Sequence, residues 1–155
     1  MLETRELDIL RRCIALAREA VEAGDEPFGS VLADGDGNVL EEERNRVVTS
    51  ADVTAHPELA LVAWASGHLD REERFRATIY TSAEHCPMCA AAQVWSGVGR
   101  LVFILSGPTV RELKPFDGPT IDLSSREVIS RSNVPITVIG PVEELQAEAR
   151  ALFGM

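Results

Sequence analysis

The chain has no apolar run approaching the ~18 residues that a membrane span needs, and a stretch such as Leu101 to Leu105 is only strand-length. Basic residues are scarce: 15 Lys and Arg stand against 25 Asp and Glu, for a formal charge of −10. A nucleic-acid binder must neutralise phosphates and normally shows a basic face, so this balance points away from such partners. The local basic cluster Arg71, Arg74 and Arg76 is interleaved with Asp70, Glu72 and Glu73, which is the pattern of a solvated charged surface. Only three cysteines are present, and two share one motif, which excludes a disulfide framework. The third, Cys13, falls on an apolar helix face and is expected in the core. The first residues carry acids where a signal peptide has a basic patch and an apolar segment, so a cytoplasmic protein is expected. Repeats and low-complexity tracts are lacking too. What remains fits one domain over residues 1–155, long enough to bury roughly 70% of its unfolded surface.

The chemistry gathers at Cys86-Pro87-Met88-Cys89 and at His56-Pro57-Glu58, thirty residues upstream. Together they offer two thiolates, one imidazole and one spare carboxylate. A structural zinc site is normally closed by four protein ligands, whereas a catalytic one keeps three and leaves a position for water. His56, Cys86 and Cys89 make three. Water bound to such a zinc has its pKa lowered toward ~7. Glu58 can then take its proton and deliver it to a substrate nitrogen.

Apolar spacing places these residues on elements. Leu7, Leu10, Ile14, Ala17 and Val21 predict a helix from about Arg5 to Ala23, with Thr4 as cap and Gly24 as stop. Phe28 to Ala33 and Val39 to Arg44 read as a hairpin around the turn formers Asp34-Gly35-Asp36-Gly37-Asn38, followed by a loop to Asp52. Thr54 is expected to cap a helix from Ala55 to Ser66, stopped by Gly67, with His56 and Glu58 in its first turn. His68 is then a helix-end surface group. A charged connection over 70–76 leads to a strand at Thr78 to Thr81. A helix from Cys86 to Trp95 follows, whose start favours an ionised thiol, and Leu101 to Leu105 pairs parallel to the previous strand. Trp64 and Trp95 read as packing residues. Beyond Ser106, Pro108, Pro115, Gly118 and Pro119 mark loops. A short helix at 124–132, a strand at 136–139 and a terminal helix at 142–153 complete the chain. Alternating strands and helices predict a three-layer α/β/α sandwich.

His-x-Glu followed by Cys-x-x-Cys resembles the cytidine deaminase superfamily of zinc-dependent nucleobase deaminases, whose signature is H-x-E and then P-C-x-x-C. The likeness covers roughly residues 10 to 105. It includes Pro27-Phe28-Gly29, Asn45, Asp52-Val53-Thr54-Ala55-His56, Thr81-Ser82-Ala83-Glu84 and Ala90-Ala91-Ala92, and it is greatest toward the guanine deaminase and tRNA adenosine deaminase branch. The resemblance implies a five-stranded mixed sheet between helices and a homodimer. It also implies zinc on His56, Cys86 and Cys89, proton transfer by Glu58, a base-binding Asn45, a pocket-lining Phe28, and Glu84 receiving the exocyclic amine through its backbone carbonyl. His85 departs from the family's proline before the first cysteine, which frees a backbone donor and adds an imidazole near the mouth of the site. Adjacent residues rarely ligate one small metal together, so His85 reads as a substrate contact or as a packed side chain.

The implied reaction is hydrolytic deamination of an aminated nucleobase or related small heterocycle, guanine deaminase-like. A tRNA adenosine deaminase and a cytosine or cytidine deaminase are the alternatives, and a zinc-stabilised binding module is a third. Late residues such as Phe116, Asp117 and Phe153 are candidates to close the pocket.

Overall fold

A computed structural model describes residues 1–155. Five strands form one mixed sheet: β1 (Gly29–Ala33), β2 (Val39–Arg44), β3 (Thr78–Ala83), β4 (Arg100–Leu105) and β5 (Thr137–Ile139), in the order β2-β1-β3-β4-β5. β1 runs antiparallel to both β2 and β3, while β3, β4 and β5 are mutually parallel. The expected hairpin therefore forms, and each parallel pair is joined through helices as that geometry demands.

The sheet has two apolar faces because its central strands alternate. Val31, Tyr80, Val102 and Ile104 enter a core with Leu10, Cys13, Ile14 and Ala17 of α1 (Thr4–Glu22) and with Leu145, Ala149 and Leu152 near the end of the chain. Leu32, Ile79, Leu101 and Phe103 enter a second core with Leu61, Val62 and Ala65 of α3 (Pro57–His68), Ala92 of α5 (Pro87–Ser96) and Ile129 of α7 (Ser125–Ser130). Cys13 is fully buried, as its helix position predicts, and its thiol meets the Tyr80 carbonyl at 3.3 Å. α1 lies so close to β1 that a Cβ on Gly29 would stand 2.4 Å from the Cys13 carbonyl oxygen.

Several boundaries differ from the sequence expectation. Thr4 is the first helical residue of α1 and the cap is Glu3, whose N–H donates to the Glu6 carboxylate at 3.0 Å. The segment before Asp52 contains a short helix, α2 (Val47–Ser50). The cap of α3 is His56, since the Thr54 hydroxyl donates to Asp52 at 2.7 Å. Gly67 does not stop α3. The helix runs to His68, whose ring stacks on Trp64 and donates Nδ1–H to the Trp64 carbonyl, 2.8 Å away. The charged stretch after it is α4 (Arg71–Arg76), started by a reciprocal capping box between Asp70 and Glu73. α6 (Gly107–Leu113) occupies residues read as loop, with Ser106 as its cap and Pro108 tolerated in the first turn. The terminal helix is broken: α8 (Gln146–Arg150) sits between two 3₁₀ turns. Trp95 is 86% exposed and packs on nothing, because the buried stripe of α5 runs through Cys89, Ala92, Gln93 and Ser96 and bypasses it.

Beside the strand end that carries Asn45, Asp25 accepts Thr49 N–H at 2.8 Å, the Thr49 hydroxyl at 2.7 Å and the Arg44 guanidinium at 2.9 Å. Burial pushes its carboxyl up, but the Thr49 and Arg44 bonds outweigh this and hold it at about 2. Because the folded pKa lies below the unfolded ~3.9, this stabilisation is complete above about pH 4 and is lost as the pH falls toward 2. Thermal unfolding followed between about pH 2 and 5 should fall with acid in the wild type and less steeply in Asp25→Asn. Equal slopes would show that Asp25 carries no such linkage.

Candidate metal centre and pocket

Two helix starts face each other across the C-terminal end of β3. α3 packs beside α5. His56 is the extended residue that caps α3 and Cys86 the extended residue that caps α5, so both side chains project from helix N-termini. Cys89, one turn into α5, is fully buried behind them. His56 Nδ1 lies 3.6 Å from the sulfur of Cys86 and 3.6 Å from that of Cys89, and the three ligand atoms all lie within 4.8 Å of one another. A tetrahedral zinc at ~2.1 Å from nitrogen and ~2.3 Å from sulfur would leave them about 3.6 Å apart. The donor set and its spacing fit zinc with one position left open.

Without the metal, the three groups share protons. The Cys86 thiol is held at about 4 by the hydrogen bond from Cys89, with His56 assisting, against burial. His56 rises to about 9 because Cys86 accepts from it, and the Cys89 thiol, which donates to Cys86, is pushed up. Together these shifts favour a Cys86 thiolate beside a protonated His56 and a protonated Cys89 when no metal is bound.

Glu58, in the first turn of α3, is 5% exposed, and burial raises its pKa to about 7 against the pull of His56. Beneath it the sheet turns polar: Ser30 donates to Thr81 at 2.8 Å, and the Thr81 hydroxyl reaches Glu58 Oε1 at 3.4 Å.

These groups open into a cavity of about 300 Å³ whose lining includes Phe28, Asn45, His56, Glu58, Glu84, His85 and Cys86. Seven of the eight residues singled out in the sequence thus converge on one cavity, with Cys89 directly behind it. Asn45 is 1% exposed, and its Oδ1 accepts Val47 N–H at 3.0 Å, leaving the amide N–H donors without a protein partner. Phe28 is wedged edge-on against Phe153, with ring centroids 6.2 Å apart.

His85 borders the cavity as a packed side chain, one of the two readings the sequence offered. It is 2% exposed, and its Nε2 lies 2.7 Å from Gln93 Oε1. The Gln93 amide nitrogen already donates to the carbonyls of Val98 and Arg100, so His85 must be the donor at Nε2. Its Nδ1 is buried without a partner, and burial lowers its pKa to about 4. A side-chain anchor into α5 thus stands where a proline ring would fix the backbone.

Glu84 does more than the sequence suggested. Its carboxylate accepts from Gly107 and Ser125, while its carbonyl takes no bond from the chain. The far wall of the cavity was not identified from sequence. It consists of Gly107, Pro108, Val110 and Arg111 from α6 and of residues 120–124 with Glu127. Phe116 and Asp117 do not line the cavity, and Phe153 reaches it only by backing Phe28. The available signal for the wall was Ser106-Gly107-Pro108, a cap followed by first-turn residues after a strand.

Residues 3–105 match the family model described as the cytidine and deoxycytidylate deaminase zinc-binding region. A probable cytosine deaminase of Schizosaccharomyces pombe is 34% identical over 148 residues, which is 94% of this chain and 90% of that protein. The guanine deaminase of Bacillus subtilis is 41% identical over 88 residues, 56% of each chain. Among solved structures, a guanine deaminase from Nitrosomonas europaea superposes with a TM-score of 0.78 at 25% identity, covering 99% of this chain and 84% of that one.

The shared protons give a direct measurement. Zinc titrated into the metal-free chain at about pH 8 should displace at least about two protons per ion, one from His56 and one from Cys89, read with an indicator in weak buffer. Tight uptake without proton release would show that another set of groups binds the ion.

Proposed function

The chain belongs to the cytidine and deoxycytidylate deaminase family of zinc-dependent hydrolases, and from that premise we propose that it deaminates a small free heterocycle, with a guanine-type purine as the leading substrate. The observation that carries the reading is Glu58. It stands buried in the same cavity as the metal ligands His56 and Cys86 without being needed as a fourth ligand, which is where a proton carrier for a metal-bound water has to be.

His56, Cys86 and Cys89 would hold the zinc, which when bound supplies a Lewis acid and an activated water. The chain's own groups do the rest. Glu58 takes a proton from the attacking water and returns it to the departing nitrogen. Water and the cyclic amidine thereby become a ring carbonyl and ammonia. The Asn45 amide donates to an acceptor on the ring, the Glu84 carbonyl receives the exocyclic amine, and Phe28 packs against the ring face. His85 acts by anchoring the loop before Cys86 rather than by reaching the substrate through Nε2.

Size and charge support a small molecule over tRNA. The cavity lies at the lower end of the ~300–1,000 Å³ range of small-molecule pockets. The net charge of −10 disfavours phosphate backbones. Cytosine is a second reading, favoured by the likeness to the Schizosaccharomyces pombe protein along nearly the whole chain. The same proposal takes residues 1–155 as one deaminase domain working in the cytoplasm as a homodimer.

Ammonia release from zinc-loaded protein should be measured across guanine, cytosine, adenine, their nucleosides and related aminated heterocycles. Turnover of a free base is expected, and Glu58→Gln should reduce kcat by about 10²–10⁴-fold with one zinc per chain retained. Inosine formation in a tRNA anticodon without turnover of any free base would overturn the small-molecule reading.

A further inference from the structure

Glu84 is the point at which the metal loop and the far wall of the pocket are joined. Between the end of β3 at Ala83 and the metal ligand Cys86 lie only Glu84 and His85. The Glu84 carboxylate accepts three hydrogen bonds from two distant segments. Oε2 accepts Gly107 N–H at 2.8 Å, and Oε1 accepts Ser125 N–H at 3.0 Å and the Ser125 hydroxyl at 2.8 Å. Gly107 opens α6 and Ser125 opens α7, so both backbone donors are N–H groups that no intrahelical carbonyl can satisfy. Hydrogen bonds to an ionised carboxylate are shorter and stronger than neutral ones.

Each flanking helix has its own anchor: Val110 and Leu113 of α6 pack on the first core, while α7 buries Ile129 in the second and donates from Arg126 to the carbonyls of Val138 and Gly140 at 3.1 and 2.8 Å. The segment between the helices is held more sparsely. The stretch 114–124 forms neither helix nor strand. The Arg111–Asp122 ion pair across it, at 3.1 Å, has side chains 47% and 87% exposed, where solvent screening leaves little net attraction. Both Glu84 oxygens are engaged by the chain, so its carboxylate does not serve as a second proton carrier although it borders the cavity.

We propose that Glu84 is a positioning residue that sets substrate fit. Its main chain is continuous with the ligand loop, and its side chain clasps the two helix starts that flank the wall. The wall is thereby registered against the metal ligands and keeps a fixed distance from the reacting carbon. Breaking the clasp loosens the grip on the far side of the substrate while the metal and Glu58 stay in place. This rests on the deaminase reading for its kinetic part only.

The test compares wild type, Glu84→Gln, Ser125→Ala and the double variant, all zinc-loaded. Gln keeps the shape, but it presents one acceptor oxygen where two are used. Expected for Glu84→Gln are one zinc per chain, amide hydrogen exchange accelerated by about 10–100-fold within 107–125, and a raised KM with kcat changed far less. Ser125→Ala should shift the same quantities less, and the double variant should exceed Glu84→Gln by less than the Ser125→Ala effect alone, since both act on one clasp. Unchanged exchange over 107–125, a fall in kcat at constant KM, additive effects, or loss of zinc from either single variant would overturn the proposal. If the wild type turns over no heterocycle, the exchange and zinc measurements still decide the clasp, and only the deaminase reading is lost.

Discussion

Everything in this molecule depends on two helix starts lying side by side. His56 and Cys86 are both capping residues, so their side chains leave the backbone where α3 and α5 have unsatisfied N–H groups and a positive end. That field favours the Cys86 thiolate. The remaining ligand, Cys89, follows one turn later from the same helix. A shift of α3 relative to α5 would separate His56 from both sulfurs at once, so the packing of Leu61, Val62 and Ala65 beside Ala92 is as much a part of the metal centre as the ligands.

The sheet supplies the second constraint. An alternating strand normally puts apolar residues against a helix layer, yet Ser30 and Thr81 break that pattern beneath Glu58. The interruption gives a buried carboxylate one polar neighbour, with the His56 imidazole the nearby group that can carry an opposite charge. In the metal-free chain burial raises the Glu58 carboxyl against the pull of His56, where a carboxylate paired with arginine would be held down. Asp25 shows the opposite arrangement a short distance along the chain. Also buried, it is fully engaged by Arg44 and Thr49, and it serves only to hold the strand end that carries Asn45.

Legibility in the sequence followed the range of the interactions. The metal set was readable because zinc chemistry restricts residue type and spacing, and the strands because alternation is local. Asp70 to Arg76 held a legible capping box that its charge obscured. Gly67 misled because it keeps a φ below zero, with the stack of Trp64 on His68 four residues later spanning it, so α3 runs past it. His85 was identified as a departure and its packing was one of two readings, but the partner that decides it, Gln93, lies eight residues on in α5 and could not be named. That late residues close the pocket was expected, but Phe116 and Asp117 were the wrong ones and the lining residues of the far wall escaped. Residues 114–124 have no periodicity, and the two helix starts that flank them are tied to a carboxylate 23 residues before Gly107 and 41 before Ser125.

The division of labour at Ser106 has a consequence for how such a protein can change over generations. The reaction machinery lies in residues before it, which coincide with the matched region 3–105, and most of the surface that meets the far side of a substrate comes after. Substitutions in the later segment can reshape selectivity with little effect on metal binding or proton transfer, provided the Glu84 attachment persists. One scaffold could then give rise to enzymes for different heterocycles through drift in a few exposed positions, without passing through an inactive ancestor.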